Sequence, residues 1–224
     1  MNSEKDTILA RIREAVKSNE SLRLSVAREP EALVTNCLPP VGTTPAEQLA
    51  LFASNAAALA ATFHDCASRS DAIAVLRGIA EDEGWRYVAL HGAPVLEDFA
   101  NGVGGNVGFF LTDRPYDKAS LEKCDAALTT CECLVAQTGS VMVSSAATGG
   151  RALSVLPPHH VVVATRSQLL PDLAAAYAFV REKYGGKLPS MISFITGPSR
   201  TGDIERILVL GVHGPRKLTI ILIP

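Results

Sequence analysis

Apolar and polar positions follow two periods along this chain. Ile8, Leu9, Ile12, Ala15 and Val16 recur three and four residues apart, with Lys5, Arg11, Arg13, Glu14 and Lys17 outside their stripe. That spacing predicts an amphipathic helix over 4–18. Ser3 and Asp6 resemble a capping box, with Asp for the usual Glu. Pro30, Pro39, Pro40, Gly42, Thr43 and Thr44 break any period, so 19–44 reads as a linker. Pro45 then opens an alanine-rich helix to about 61, Pro being at ease in a first turn. Ser68 caps the next helix, whose inward stripe is Ala72, Ile73, Leu76, Ile79 and Ala80, and Gly84 ends it as a left-handed residue. Further helices are predicted at 94–100, 117–124 and 168–183, the last with Leu169, Leu173, Ala176, Tyr177 and Val180 facing inward.

Between these lie short apolar runs at 62–64, 85–90, 107–111, 126–128, 133–136, 141–143, 161–164, 191–195, 207–212 and 218–223. They are continuous rather than alternating, as strands buried on both faces are. Strands of this kind alternating with amphipathic helices predict an α/β fold with a mostly parallel sheet of at least five strands flanked by helices. The stretch 126–165 has strands with no helix between them, so a hairpin or antiparallel edge is expected there. The division is an N-terminal helix and Pro-rich linker over 1–44 and an α/β domain over 45–224. The Gly-rich turn 101–105 precedes a strand and so is not a dinucleotide fingerprint, which follows one.

Composition narrows the function. The chain has 224 residues, 47% of them hydrophobic, a formal net charge of -2 and a pI of about 6.2. That is enough to build a sizeable core, and there is no basic surplus to hold nucleic acid or an anionic membrane. No apolar run approaches the ~18 residues of a membrane span. The polar start Met1-Asn2-Ser3-Glu4-Lys5-Asp6 is unlike a signal peptide, so a cytoplasmic location is expected. Five cysteines in irregular spacing make no disulfide framework, and Cys131-Glu132-Cys133 is too sparse for a zinc or iron-sulfur site. They read as buried thiols, and no metal site is expected.

The densest polar cluster is Thr196-Gly197-Pro198-Ser199-Arg200-Thr201-Gly202-Asp203-Ile204-Glu205. A strand leads in, and a second leaves toward His213-Gly214-Pro215. Strand, small polar loop and acidic helix start form the pattern by which an α/β protein presents a site at the C-terminal edge of its sheet. Asp203 or Thr201 as a helix cap explains one polar residue, not the cluster. Gly197-Pro198-Ser199-Arg200-Thr201 nearly matches a nucleophile elbow, but Asp203 sits on the same turn as the serine rather than on a later strand end. A CoA-transferase would need a carboxylate nucleophile on the turn Gln137-Thr138-Gly139-Ser140, where an amide stands. His159 and His160, adjacent on an extended segment, point to opposite faces and do not readily share a metal.

With Gln137-Thr138-Gly139-Ser140, Pro157-Pro158-His159-His160, the 197–205 stretch and Gly211-Val212-His213-Gly214-Pro215 in order, residues 45–224 resemble the LUD-domain family. The resemblance implies a fold similar to the group of ribose-5-phosphate isomerase, glucosamine-6-phosphate deaminase and CoA-transferase. It implies a part in oxidising L-lactate to pyruvate, beside two partner lactate-utilisation proteins that carry the iron-sulfur clusters, with no redox cofactor in this chain. The alternative is an enzyme for a small anionic molecule of the phosphosugar, carboxylate or CoA type. The ligand, a small carboxylate or phosphate, is expected among Gln137, Thr138, Gly139, Ser140, Arg151, Gly197, Pro198, Ser199, Arg200, Thr201, Asp203, His213 and Gly214. Arg200 would supply a planar fork for it, and amides near Gly139 and Thr201 would assist. The loops at 138–140, 149–151, 197–203 and 213–215 would then gather at one edge. The family usually has an acid where Gln137 stands, so no acid-base role is carried over to that position.

Overall fold

A computed structural model describes residues 4–18, 39–105, 107–113, 118–204, 207–211 and 214–224, with 18, 201–204 and 207–210 described by backbone alone. The chain divides into two compact units, Met1–Pro40 and Val41–Pro224. The first carries α1 (Glu4–Ser18), on which Ile8, Ile12 and Val16 are exposed.

The second unit runs α2 (Pro45–Ala58), β1 (Thr62–Asp65), α3 (Arg69–Asp82), β2 (Tyr87–Leu90), α4 (Pro94–Val103), β3 (Gly108–Leu111), α5 (Lys118–Glu122), β4 (Ala126–Thr129), β5 (Cys133–Val135), β6 (Ser140–Ser144), β7 (His159–Thr165), β8 (Leu169–Leu170), α6 (Leu173–Tyr184), β9 (Ile192–Ile195), β10 (Arg200–Ile204), β11 (Ile207–Leu210) and β12 (Lys217–Ile223). Local chemistry sets the helix starts. Thr44 Oγ1 accepts the Glu47 amide at 3.2 Å while Glu47 Oε2 accepts the Thr44 amide at 2.9 Å, a full capping box. Ser68 and Asp172 cap α3 and α6 in the same manner with one bond each.

Six parallel strands form the main sheet in the order β1-β12-β7-β4-β2-β3. A four-stranded sheet, β8-β5-β6-β9, carries the expected hairpin as β5 and β6. The continuous apolar runs follow from burial on both faces. Val161, Val163, Ile221 and Ile223 pack against α3 and α4 on one side. Val162, Ala164, Ile220 and Leu222 pack on the other, against Phe52 and Ala56 of α2 and Leu134, Val141 and Val143 of the second sheet. The far face of that second sheet is covered by Ala176 and Val180 of α6.

Three expectations need correction. Tyr177, expected to face inward, is exposed. The residues after Gly202 do not open a helix. β10 and β11 pair antiparallel, with Thr201 opposite Val209 and Ile204 opposite Ile207. β-branched residues such as Thr201 and Ile204 favour the extended form. The predicted helix over 168–183 begins later, at Leu173. Leu169–Leu170 pairs with β5, and Pro171, which cannot donate a helical hydrogen bond, separates the two elements.

α2 ends in a Schellman motif, Ala61 N–H to Ala56 O at 2.9 Å and Ala60 N–H to Ala57 O at 3.0 Å. The left-handed position, φ 61°, is held by Ala60, the one positive-φ residue other than glycine among those described. Ala60→Gly is therefore expected to stabilise the domain by about 1 kcal/mol, read as a higher denaturant midpoint with an unchanged slope.

A second prediction concerns pH. His160 is fully buried, and burial, with His159 adding to it, pushes its imidazole down to about 3. In the unfolded chain it takes a proton near the ordinary value of about 6.5. Its contribution to stability is thus intact above that pH and is lost progressively toward pH 3, at up to ~1.4 kcal/mol per pH unit. Denaturant titrations across that window should show the decline, and a shallower one in His160→Gln.

Candidate functional site

β2 continues to β3 on one side, whereas β4, its other neighbour, leads on to β7. The connections part where β2 and β4 end, which is where open parallel sheets hold ligands. At these C-terminal ends lies a cavity of about 590 Å3, lined by His91 after β2, Thr112 and Asp113 after β3, Thr130 after β4, and Ser145, Ala146, Ala147, Gly149 and Gly150 after β6.

His91 is the buried acid-base group of this cavity. Its Nε2 accepts the Thr130 amide at 3.3 Å and lies 3.1 Å from Thr130 Oγ1, so the ring proton sits on Nδ1. Burial lowers the tendency of the ring to take a second proton, against the opposing charge of Asp113, so the imidazole is neutral at pH 7. Asp113 in turn accepts the Gly92 amide. A Cβ on Gly149, φ 74°, would fall 2.5 Å from His91 Cβ, so only glycine lets this loop lie on the imidazole. α4 starts at the same cavity with Ala93 as its N-cap, which offers no side-chain acceptor, so the positive end of the helix dipole opens toward it.

The loop lining the cavity is anchored from behind. Ser144 Oγ accepts the amides of Ala146 at 3.3 Å and Ala147 at 3.1 Å and donates to Glu132 Oε1 at 2.5 Å. Glu132 is buried and also receives Tyr184 Oη and, at 2.6 Å, Lys183 Nζ from α6. Burial raises its pKa, but these three donors outweigh it, and the carboxyl stays below its ordinary value.

The residues singled out in the sequence fall elsewhere. Gln137, Thr138, Gly139 and Ser140 form the β5–β6 turn against α2, where Asn55 Nδ2 donates to Ala136 O at 2.9 Å and Gln137 O at 3.0 Å. Ser140 Oγ lies 2.8 Å from Thr196 Oγ1, which brings this turn beside Gly197 and Pro198. Ser199 N–H reaches Pro215 O at 2.9 Å beside Gly214, and Arg200 donates to Leu59 O. These contacts adjoin the starts of β1 and β12, the N-terminal edge of the parallel sheet and not the C-terminal one. Arg151 does not join them. It donates to Ser190 O at 3.0 Å, beyond the far end of β6 from the 137–140 turn, about 15 Å of strand away. Gathering at one edge thus holds for 138–140, 197–200 and 214–215, and fails for 149–151. Thr201 and Asp203 are placed by backbone only, and His213 lies outside the described residues. His159 and His160 do face opposite ways, one bonded to Glu83 and Thr219, the other to Thr129. His91, Asp113 and Thr130 were missed, although each follows a predicted strand within two residues.

A family model described as LUD domain matches residues 49–223. The chain belongs to the LUD-domain family. This LUD-domain chain is 38% identical over 104 residues to "Lactate utilization protein C" of Geobacillus sp. (strain WCH70), covering 46% of the chain and 43% of the relative. It is 36% identical over 128 residues to the protein of the same name from Shouchella clausii, covering 52% and 56%. The chain spans about half the length of the curated relatives it matches. Its fold is shared with a DUF162 family protein from Deinococcus radiodurans, with a TM-score of 0.63 and 21% identity over 82% of this chain and all of that one. Among the described residues, no helix is long and apolar enough to cross a membrane.

The packing of the 137–140 turn can be checked directly. A Cβ on Gly139, φ 63°, would meet Ala56 N at 2.6 Å and Asn55 C at 2.8 Å. Gly139→Ala is expected to cost about 2–4 kcal/mol of stability by denaturant unfolding, because backbone must move and the conformation is left-handed.

Proposed function

We propose that this chain is the component of a lactate-oxidising assembly that holds the small carboxylate, and that two iron-sulfur lactate-utilisation proteins act with it. The names of its relatives support the pathway, and the His91 cavity supports the role. The observation that carries the reading is a neutral, buried imidazole, held by the Thr130 amide, at the switch point of a parallel sheet and beside an uncapped helix start. The helix end and the Gly149-Gly150 backbone suit a carboxylate. His91 Nδ1–H suits a hydrogen bond to an oxygen of L-lactate, the Nε2 lone pair being taken by the Thr130 amide.

Conversion to pyruvate breaks one O–H and one C–H bond and releases two protons and two electrons. Taking up those electrons is cofactor chemistry, supplied by the clusters expected on the partners. Among the described residues the donor set does not suit a cluster. Cys66, Cys124, Cys131 and Cys133 are buried in four different apolar clusters, and burial pushes the Cys133 thiol up to about 12. The exposed stripe Ile8, Ile12 and Val16 of α1 is the candidate docking element for a partner.

Metal analysis and a visible spectrum of the isolated chain, followed by lactate assays with and without the partners, test this reading. The chain alone should be colourless, without stoichiometric iron, and inactive. With partners present, His91→Gln should lower turnover about tenfold, as the loss of one substrate hydrogen bond would. A bound flavin or cluster, lactate turnover by the chain alone, or turnover of a phosphosugar would replace the reading.

A further inference from the structure

Opposite the His91 cavity, at the N-terminal edge of the parallel sheet, lies a second concavity of about 300 Å3. A line of hydrogen bonds forms its floor. Glu83 Oε2 stands 3.0 Å from His159 Nδ1, and His159 Nε2 stands 2.8 Å from Thr219 Oγ1. A carboxylate only accepts, so Nδ1 donates, Nε2 accepts, and Thr219 gives its hydroxyl hydrogen to the ring. Trp85 Nε1 donates to Glu83 Oε2 at 3.0 Å and Lys217 Nζ to Glu83 Oε1 at 2.9 Å. Remaining lone pairs on Glu83 and Thr219 therefore make this side of the cavity an acceptor surface.

Arg216 lines the same cavity and makes no ion pair among the described residues. Its amide donates to Pro158 O at 2.7 Å, which sets the backbone. Its stem lies across Gly211, where an added Cβ would fall 2.1 Å from Arg216 Cγ. Gly211, φ 73°, is thus the residue that admits Arg216 to this position. Ala60, in the left-handed region, also lines the cavity, and strained residues collect at ligand sites.

We propose that this cavity is a second ligand site, for a small carboxylate with a hydrogen-bond donor on the neighbouring carbon. Arg216 takes the carboxylate through its planar fork, and Glu83 and Thr219 accept from the donor. The site is separate from the His91 cavity and stands whether or not that cavity binds lactate.

Methyl groups report the two cavities independently. The full chain, carbon-13 labelled at alanine and threonine methyls, is titrated by NMR with L-lactate, L-alanine and pyruvate. The expected result is saturable shifts at Ala60 and Thr219 with L-lactate or L-alanine, and at least tenfold weaker binding of pyruvate, which lacks the donor. Binding should weaken at least tenfold in Arg216→Ala and also in Gly211→Ala, which keeps the charge but displaces it. Arg216→Lys should not restore it fully, since the fork is lost. Unchanged binding in Arg216→Ala overturns the proposal, as do shifts confined to Ala146, Ala147 and Thr130, or no shift at Ala60 and Thr219 with any of the three acids.

Discussion

Burial of β7 and β12 on both faces is the constraint from which the other layers follow. Each strand presents alternate side chains to opposite sides, and neither face of Val161–Ala164 or Ile220–Ile223 meets water. One face requires α3 and α4, and the other requires α2 together with a whole second sheet. The hairpin of that sheet, β5 and β6, is inserted between β4 and β7, where a parallel crossover would usually carry a helix, and β8 and β9 join the sheet after β7. Its own outer face is then apolar and must be covered in turn, by α6. The two histidines within this packing are hydrogen-bonded, His159 to Glu83 and Thr219, and His160 through Nε2 to Thr129 while its buried Nδ1 has no partner.

The same arrangement gives the sheet two unlike edges. At the C-terminal edge the strands end in short polar residues, and the loop after β6 folds back over His91. At the N-terminal edge the turn 137–140, the segment 196–200 and residues 214–217 close against the end of α2 and the starts of β1 and β12. Chemistry that requires a concave polar surface is available at both, with a neutral imidazole lining one and an arginine, a glutamate and a threonine lining the other.

Glu132 connects the second sheet to the first of these edges. A buried carboxylate is costly unless fully paired. Here three donors satisfy it, two of them from α6, and the third, Ser144, passes the constraint on to the amides of the cavity loop. The position of that loop therefore depends on a helix that never touches the cavity.

The order of elements was readable from the chain because it rests on local causes. The stripe Ala72, Leu76 and Ala80, the helix openers Pro45 and Ser68, and the doubly buried run 161–164 each carry their signal within a few residues, and the parallel α/β class follows from them. The family resemblance was equally local, being carried by short motifs. Which motif meets which was a different matter. Gly197 to Arg200 looked like a loop at the C-terminal edge because it follows an apolar strand, yet that strand, β9, belongs to the second sheet and delivers the loop to the opposite edge. Arg151 and Ser140 are eleven residues apart along the chain, but β6 holds the loops carrying them at opposite ends. His91, Asp113 and Thr130 are unremarkable one at a time and become a site only because β2, β3 and β4 are neighbours. Periodicity records which way a side chain faces its own element, and strand order, set by long-range packing, decides what lies across from it.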